Sequence, residues 1–182
     1  MPPEWAPQDW LWIGFPHAVA ESGQDVRLVV RAGANADRAS QLVSGGVTLH
    51  RHEYGDIWLR DTGPLVVLRD GRRLGKRFGF NGWGGKYLMP GDETVGTALA
   101  EAAGLPVDAA DWILEGGALD TDGGGLVVTT EQCLLNPNRN PDLSRAEIEQ
   151  RLQRDLGFDR ILWLGDGLVN DHTDGHVDNL AR

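Results

Sequence analysis

Residues 171–178 read DHTDGHVD, two histidines and three aspartates in eight consecutive positions. Such a cluster can ligate a transition metal, or it can pair a proton-transfer group with a group that holds a cation. For a metal, His172 and His176 have the i,i+4 spacing that suits a helix. Gly175 and the surrounding aspartates disfavour a helix, however, and no glutamate follows the first histidine as a zinc-hydrolase motif requires. In an extended strand His176 and Asp178, two positions apart, share one face and point into one pocket. The expectation is a site without metal.

Two acidic residues stand at comparable places earlier in the chain. Asp61 in WLRD and Glu115 in LEGG each follow a strand-like run and precede a hairpin-like one, and His176 recurs at the corresponding place of a third repeat; the three are 54 and 61 residues apart. Each has glycine nearby, which allows close backbone approach. A planar guanidinium presents five N–H donors in a fixed fork and matches carboxylates bidentately. Asp61 and Asp178 are therefore candidates to grip such a cation. Glu115 is the candidate to set the tautomer and charge of His176, the acid/base. A nucleophile is missing from this set.

A repeating frame must position these residues. ADRASQLVSGG predicts a short helix, followed by a strand, Asp61 and a hairpin turning at Asp70-Gly71. GDETVGTALAEAAGLP and the run after it repeat helix, strand, Glu115 and a hairpin near Asp122-Gly123. The third helix starts at a capping box, Ser144 with Glu147, carries the apolar stripe Ile148, Leu152 and Leu156, and ends at Gly157 before the strand RILWLG. Equivalent residues of a pseudo-symmetric ring point toward a common axis. No linker divides the chain, so one domain over residues 1–182 is expected.

The bulk composition narrows the partners. With 17 basic and 27 acidic residues the net charge is −10, which argues against nucleic acid or an anionic membrane and suits a small cation. The first residues, MPPEWAPQDWLWIGFPH, have neither a basic leader nor a long apolar run, so neither a secretory signal nor a membrane anchor is expected. A single cysteine, Cys133, excludes an internal disulfide framework and fits a reducing cytoplasm.

Six motifs in order, PPEWAPQ, DIWLRDTGP, FNGWGGKY, ILEGGALDTDGGG, CLLNPNRNP and NDHTDGHVDN, resemble the agmatine deiminases and related bacterial-type peptidylarginine deiminases of the guanidino-group-modifying (pentein) superfamily. The resemblance implies an α/β propeller of five ββαβ units, of which this chain carries about three. It implies hydrolysis of a guanidine, agmatine first among candidates, to a ureido product and ammonia, with neither metal nor organic cofactor. By motif, Asp61 and Asp178 bind the guanidinium, His176 is the general acid/base and Glu115 its partner; Trp58 walls the pocket, and Trp83 sits in a substrate-covering loop. The family's nucleophilic cysteine comes from its last unit, and Cys133, expected in a hairpin strand, is not that residue. The chain then reads as a truncated deiminase domain, inactive by itself and prone to self-association through an open ring. Peptidylarginine deiminase, another guanidino-group-modifying enzyme or a non-catalytic guanidine-binding fragment are the alternatives.

Overall fold

The computed structural model describes the backbone of residues 11–13 and residues 25–43 and 46–181 in full. The PPEWAPQ motif and most of the leader segment lie outside them. Among the described residues, nine strands form three three-stranded sheets. In the first, β1 (Leu11–Ile13), β2 (Val26–Val30) and β3 (Val47–Arg51) run parallel. In the second, β4 (Leu65–Arg69) is antiparallel to β5 (Arg72–Gly79), which pairs in parallel with β6 (Val107–Ile113). The third repeats that order with β7 (Asp120–Thr121), β8 (Leu126–Thr130) and β9 (Arg160–Leu164). A helix joins the last two strands of each of these sheets, Asp92–Ala102 in one and Arg145–Leu156 in the other, which gives the ββαβ order expected from the repeat.

Local chemistry accounts for these elements. The β4–β5 turn has φ of 52° at Asp70 and 73° at Gly71, the left-handed pair whose twist matches a two-residue hairpin. Ser144 Oγ accepts from the Glu147 amide, and Glu147 Oε2 accepts from the Ser144 amide at 2.8 Å, which closes the capping box. Ile148, Leu152 and Leu156 then face inward against Trp112, Leu119, Val127 and Phe158, so the second and third sheets share one apolar core. A smaller cluster of Val29, Val95 and Leu99 takes Tyr54 and Leu59 between the first sheet and the next helix.

The third strand of every sheet leads into a short helical turn. β3 is followed by Leu59–Thr62, β6 by Gly116–Ala118 and β9 by Val177–Asn179. Successive units thus deliver one turn each to the same end of their sheets. The strand expected at His176–Asp178 is replaced by the last of these turns, a 3-10 turn with His176 as its N-cap. The cause is Asp171, whose Oδ2 accepts from the Gly175 and His176 amides and from the Thr173 hydroxyl; with those donors taken locally, strand pairing has little to offer. Cys133 is likewise corrected. It lies on the one-turn helix Glu131–Leu134 after β8, capped by Thr130, and not in the strand.

Candidate active site

The three turns meet at Gly117. A Cβ placed on that glycine would lie 2.5 Å from His176 Nδ1, 2.6 Å from Asp61 Oδ1 and 2.8 Å from Asp178 Oδ2. Three residues from distant parts of the sequence therefore surround one α-carbon. Leu59, held in the Val29 cluster, seats the turn that carries Asp61, and the buried Val177 seats the turn that carries Asp178. Arg60 also donates from Nη2 to the Leu119 carbonyl at 3.0 Å, which binds the first turn to the second.

Asp61 is fixed from both sides. Its Oδ1 accepts from the Gly117 amide at 2.9 Å and its Oδ2 from the Trp83 indole at 3.0 Å. Burial pushes its carboxyl up to about 6 against these two hydrogen bonds, and the charges of Glu115 and Asp178 add to the rise. His176 is 1% exposed, with Nδ1 3.7 Å from Asp61 Oδ1. Burial, and after it the charge of Arg139, hold its imidazole down at about 4, so it is neutral at pH 7.

Glu115 is the N-cap residue of Gly116–Ala118 and is fully buried. Its Oε1 accepts from Arg139 Nε at 2.8 Å, a partner that the sequence reading missed. Polar atoms of Glu115, Cys133 and His176 all lie within 4.8 Å of one another, while Glu115 Oε2 and His176 Nε2 have no hydrogen-bond partner. Burial raises the Glu115 carboxyl even against Arg139.

In front of this group is a cavity of about 390 Å³. Asp61, His176 and Asp178 form its floor, Trp83 and Tyr87 part of its wall, and Asp56, Trp58, Asp171 and His172 also line it. Trp58 is 56% exposed, a rim residue, whereas Trp83 is buried, held at φ 53° and packed edge-on against Phe80 at 4.9 Å. Among the described residues, no lysine or arginine lines the cavity. Carboxylates beside aromatic rings in such a cavity can receive a flat cation.

Glu115, Cys133 and His176 are the described residues that cluster with the spacing of a metal set. Two features oppose a cation there. A metal would have to displace the proton of the Cys133 thiol, which burial pushes far up, and compete with the Arg139 guanidinium paired to Glu115 Oε1. Zinc or manganese added at tenfold excess is expected to leave the melting temperature unchanged. A rise of several degrees would mean that these three residues are ligands.

Mixed ββαβ units whose strand-end turns converge on a carboxylate-floored cavity define a protein of the pentein fold. The profile of the Porphyromonas-type peptidyl-arginine deiminases matches residues 18–182, and the chain belongs to that family. It is 38% identical to the agmatine deiminase of Pseudomonas fluorescens, an alignment that covers all of this chain and 56% of that one. Its structure superposes on the Enterococcus faecalis agmatine deiminase with a TM-score of 0.87 at 32% identity, over 98% of this chain and 56% of that one. A C. jejuni agmatine deiminase with substrate bound gives 0.87 at 29% identity, over 97% and 59%. The chain thus spans about half the length of the relatives it matches.

Site residues that sequence reasoning passed over are Arg139, Asp171 and Gly117. All three lay inside quoted motifs, but nothing local to NPNRNP marks its arginine as the partner of a glutamate 24 residues earlier.

Proposed function

We propose that this chain is the guanidine-binding and acid/base portion of an agmatine deiminase, an enzyme that hydrolyses agmatine to N-carbamoylputrescine and ammonia. The observation that supports it is the convergence of Asp61, Asp178 and His176 on Gly117 in a cavity lined by carboxylates and, among the described residues, by no lysine or arginine. In this reading Asp61 and Asp178 take the N–H edges of the guanidinium, and Trp58 and Trp83 flank it. His176, neutral at rest, takes the proton of the attacking thiol, passes it to the departing ammonia and then accepts one from the hydrolytic water, with Glu115 as its partner. The attacking thiolate comes from outside residues 1–182. A peptidyl-arginine substrate is the alternative, and its longer distal part would have to pass the rim at Trp58.

Keeping Asp61 ionised at neutral pH costs the folded chain on the order of 3 kcal/mol, and an incoming cation relieves that cost. The sign of the pH effect follows. Agmatine is a cation throughout, and below pH 6 it must displace the proton from Asp61, so its dissociation constant is expected to rise by up to about tenfold per pH unit. His176, neutral until about pH 4, adds nothing in that window. Calorimetric titrations of the chain at pH 5, 6, 7 and 8 measure this, and an affinity independent of pH would sink the assignment of Asp61. Asp61→Asn should weaken binding at pH 7.5 by about thirtyfold or more, because it removes one charged side of the grip.

The reading extends to a cytoplasmic protein that acts on a small guanidine and uses no nucleic acid, membrane, metal or organic cofactor. The acidic charge and the single cysteine support it, and no described helix is long and apolar enough to cross a membrane. Homo-oligomer formation belongs to the same proposal, supported by apolar side chains left in solvent at Leu68, Leu162 and Val169.

A further inference from the structure

Arg139 touches no ligand-facing surface, yet it is 2% exposed and stands where three segments of the site meet. Its Nε donates to Glu115 Oε1 at 2.8 Å and its Nη2 to the Thr173 carbonyl at 2.9 Å. Its Nη1 donates to Asp174 Oδ2 at 2.5 Å and to Asn138 Oδ1 at 2.8 Å. One planar fork thereby holds the Glu115 turn and the loop that ends in His176. The third segment is the loop that carries Trp83. Lys86 of that loop pairs with Asp174 and donates to the His172 carbonyl at 3.0 Å. Gly84 lets the loop lie directly on the fork, since a Cβ there would come within 2.3 Å of Asn138 Nδ2 and 2.6 Å of Arg139 Nη1. Trp83, one residue before it, donates to Asp61.

We propose that Arg139 is a positioning residue, which sets the Glu115–His176 pair and the Trp83–Asp61 contact from a single buried guanidinium. Only its ligand-binding consequence rests on the guanidine reading above. Arginine is required by the geometry: four acceptors lie around one plane, and a lysine ammonium, a point charge on a flexible stem, cannot reach them together. Without it Glu115 is a buried carboxylate with no counter-charge and takes up a proton.

The test is Arg139→Gln in the 182-residue chain with two readouts. The first is the His176 imidazole titration followed by NMR in the absence of ligand. The titratable and charged groups around that ring are Arg139, Glu115, Cys133, Asp171, Arg60, Asp174, Asp61 and Asp178, and loss of Arg139 removes the largest of the opposing positive charges. The midpoint is expected to move up, by less than the loss of Arg139 alone would give, because the Glu115 carboxylate beside the ring gives up its own charge as it takes up a proton. The second is agmatine affinity, expected to weaken by about tenfold or more, as when a residue supporting a ligand-holding shell is lost. A role in stability alone would lower the melting temperature and move neither readout, and a folded variant with both at wild-type values overturns the proposal. If Arg139→Gln does not fold, Asp174→Asn removes the charged bond between the fork and the His176 loop and leaves its bonds to the Thr173 carbonyl and to Glu115. Weaker agmatine binding is expected there too, and wild-type affinity would again overturn the proposal. Failure of the wild-type chain to bind agmatine would sink the guanidine reading, while the imidazole titration would still decide the role of Arg139.

Discussion

Gly117→Ala is expected to abolish agmatine binding, by about a hundredfold or more, in a chain that still folds. The added methyl would lie 2.5–2.8 Å from atoms of His176, Asp61 and Asp178, closer than real Cβ contacts allow. These three cannot all yield. Asp61 is held by the Trp83 indole and by the Gly117 amide itself, and the His176 backbone is tied to Asp171. Whatever moves, the spacing of the two carboxylates changes, and a displacement of about 1 Å at such a site typically costs two orders of magnitude. The backbone raises no objection, because φ at Gly117 lies outside the left-handed region. The stability loss should then be that of ordinary overpacking, about 1–3 kcal/mol. Calorimetry with agmatine and a thermal melt make the test, and a folded Gly117→Ala chain with wild-type affinity would remove Gly117 from the centre of the site.

The larger effect concerns turnover. The 182-residue chain is expected to release no measurable ammonia from agmatine under conditions where the full-length Pseudomonas fluorescens agmatine deiminase gives a strong signal. Water attacks a resonance-stabilised guanidinium slowly, and a thiolate divides that barrier into two easier steps. The chain's single thiol, Cys133, is fully buried, and burial pushes it far up, so it is protonated at neutral pH. It lies close behind Glu115 and His176, nearer than its sequence context implied, but it does not line the cavity. Cys133→Ser should accordingly leave both agmatine affinity and the absence of turnover as they are. Ammonia release by the short chain that disappears in Cys133→Ser would identify Cys133 as the nucleophile and overturn this account.

Much of the frame was legible because it is local. The Ser144–Glu147 box, the stripe Ile148–Leu152–Leu156 and the Asp70-Gly71 turn each depend on residues within a few positions of one another, and the helix and the hairpin formed as expected. The repeat spacing located Asp61, Glu115 and His176 at strand exits, although Asp61 lies inside its turn while Glu115 and His176 are N-caps. The two-residue spacing of His176 and Asp178 was read as a strand. That reading failed because the decisive bonds run back to Asp171, and periodicity does not register a side chain that captures backbone amides. Arg139 was hidden for a related reason. Its partners Glu115, Thr173 and Asp174 are 24 to 35 residues away, and only the folded chain brings them to it.

No two of the three turns around Gly117 leave the same sheet. A cation bound there is consequently a rivet through three cooperative units. Its binding energy opposes local opening of any one of them, because each opening releases the ligand. Occupancy then reports the integrity of the whole assembly, and a lesion far from the cavity, in the core of one sheet, is felt at the cavity as lost affinity.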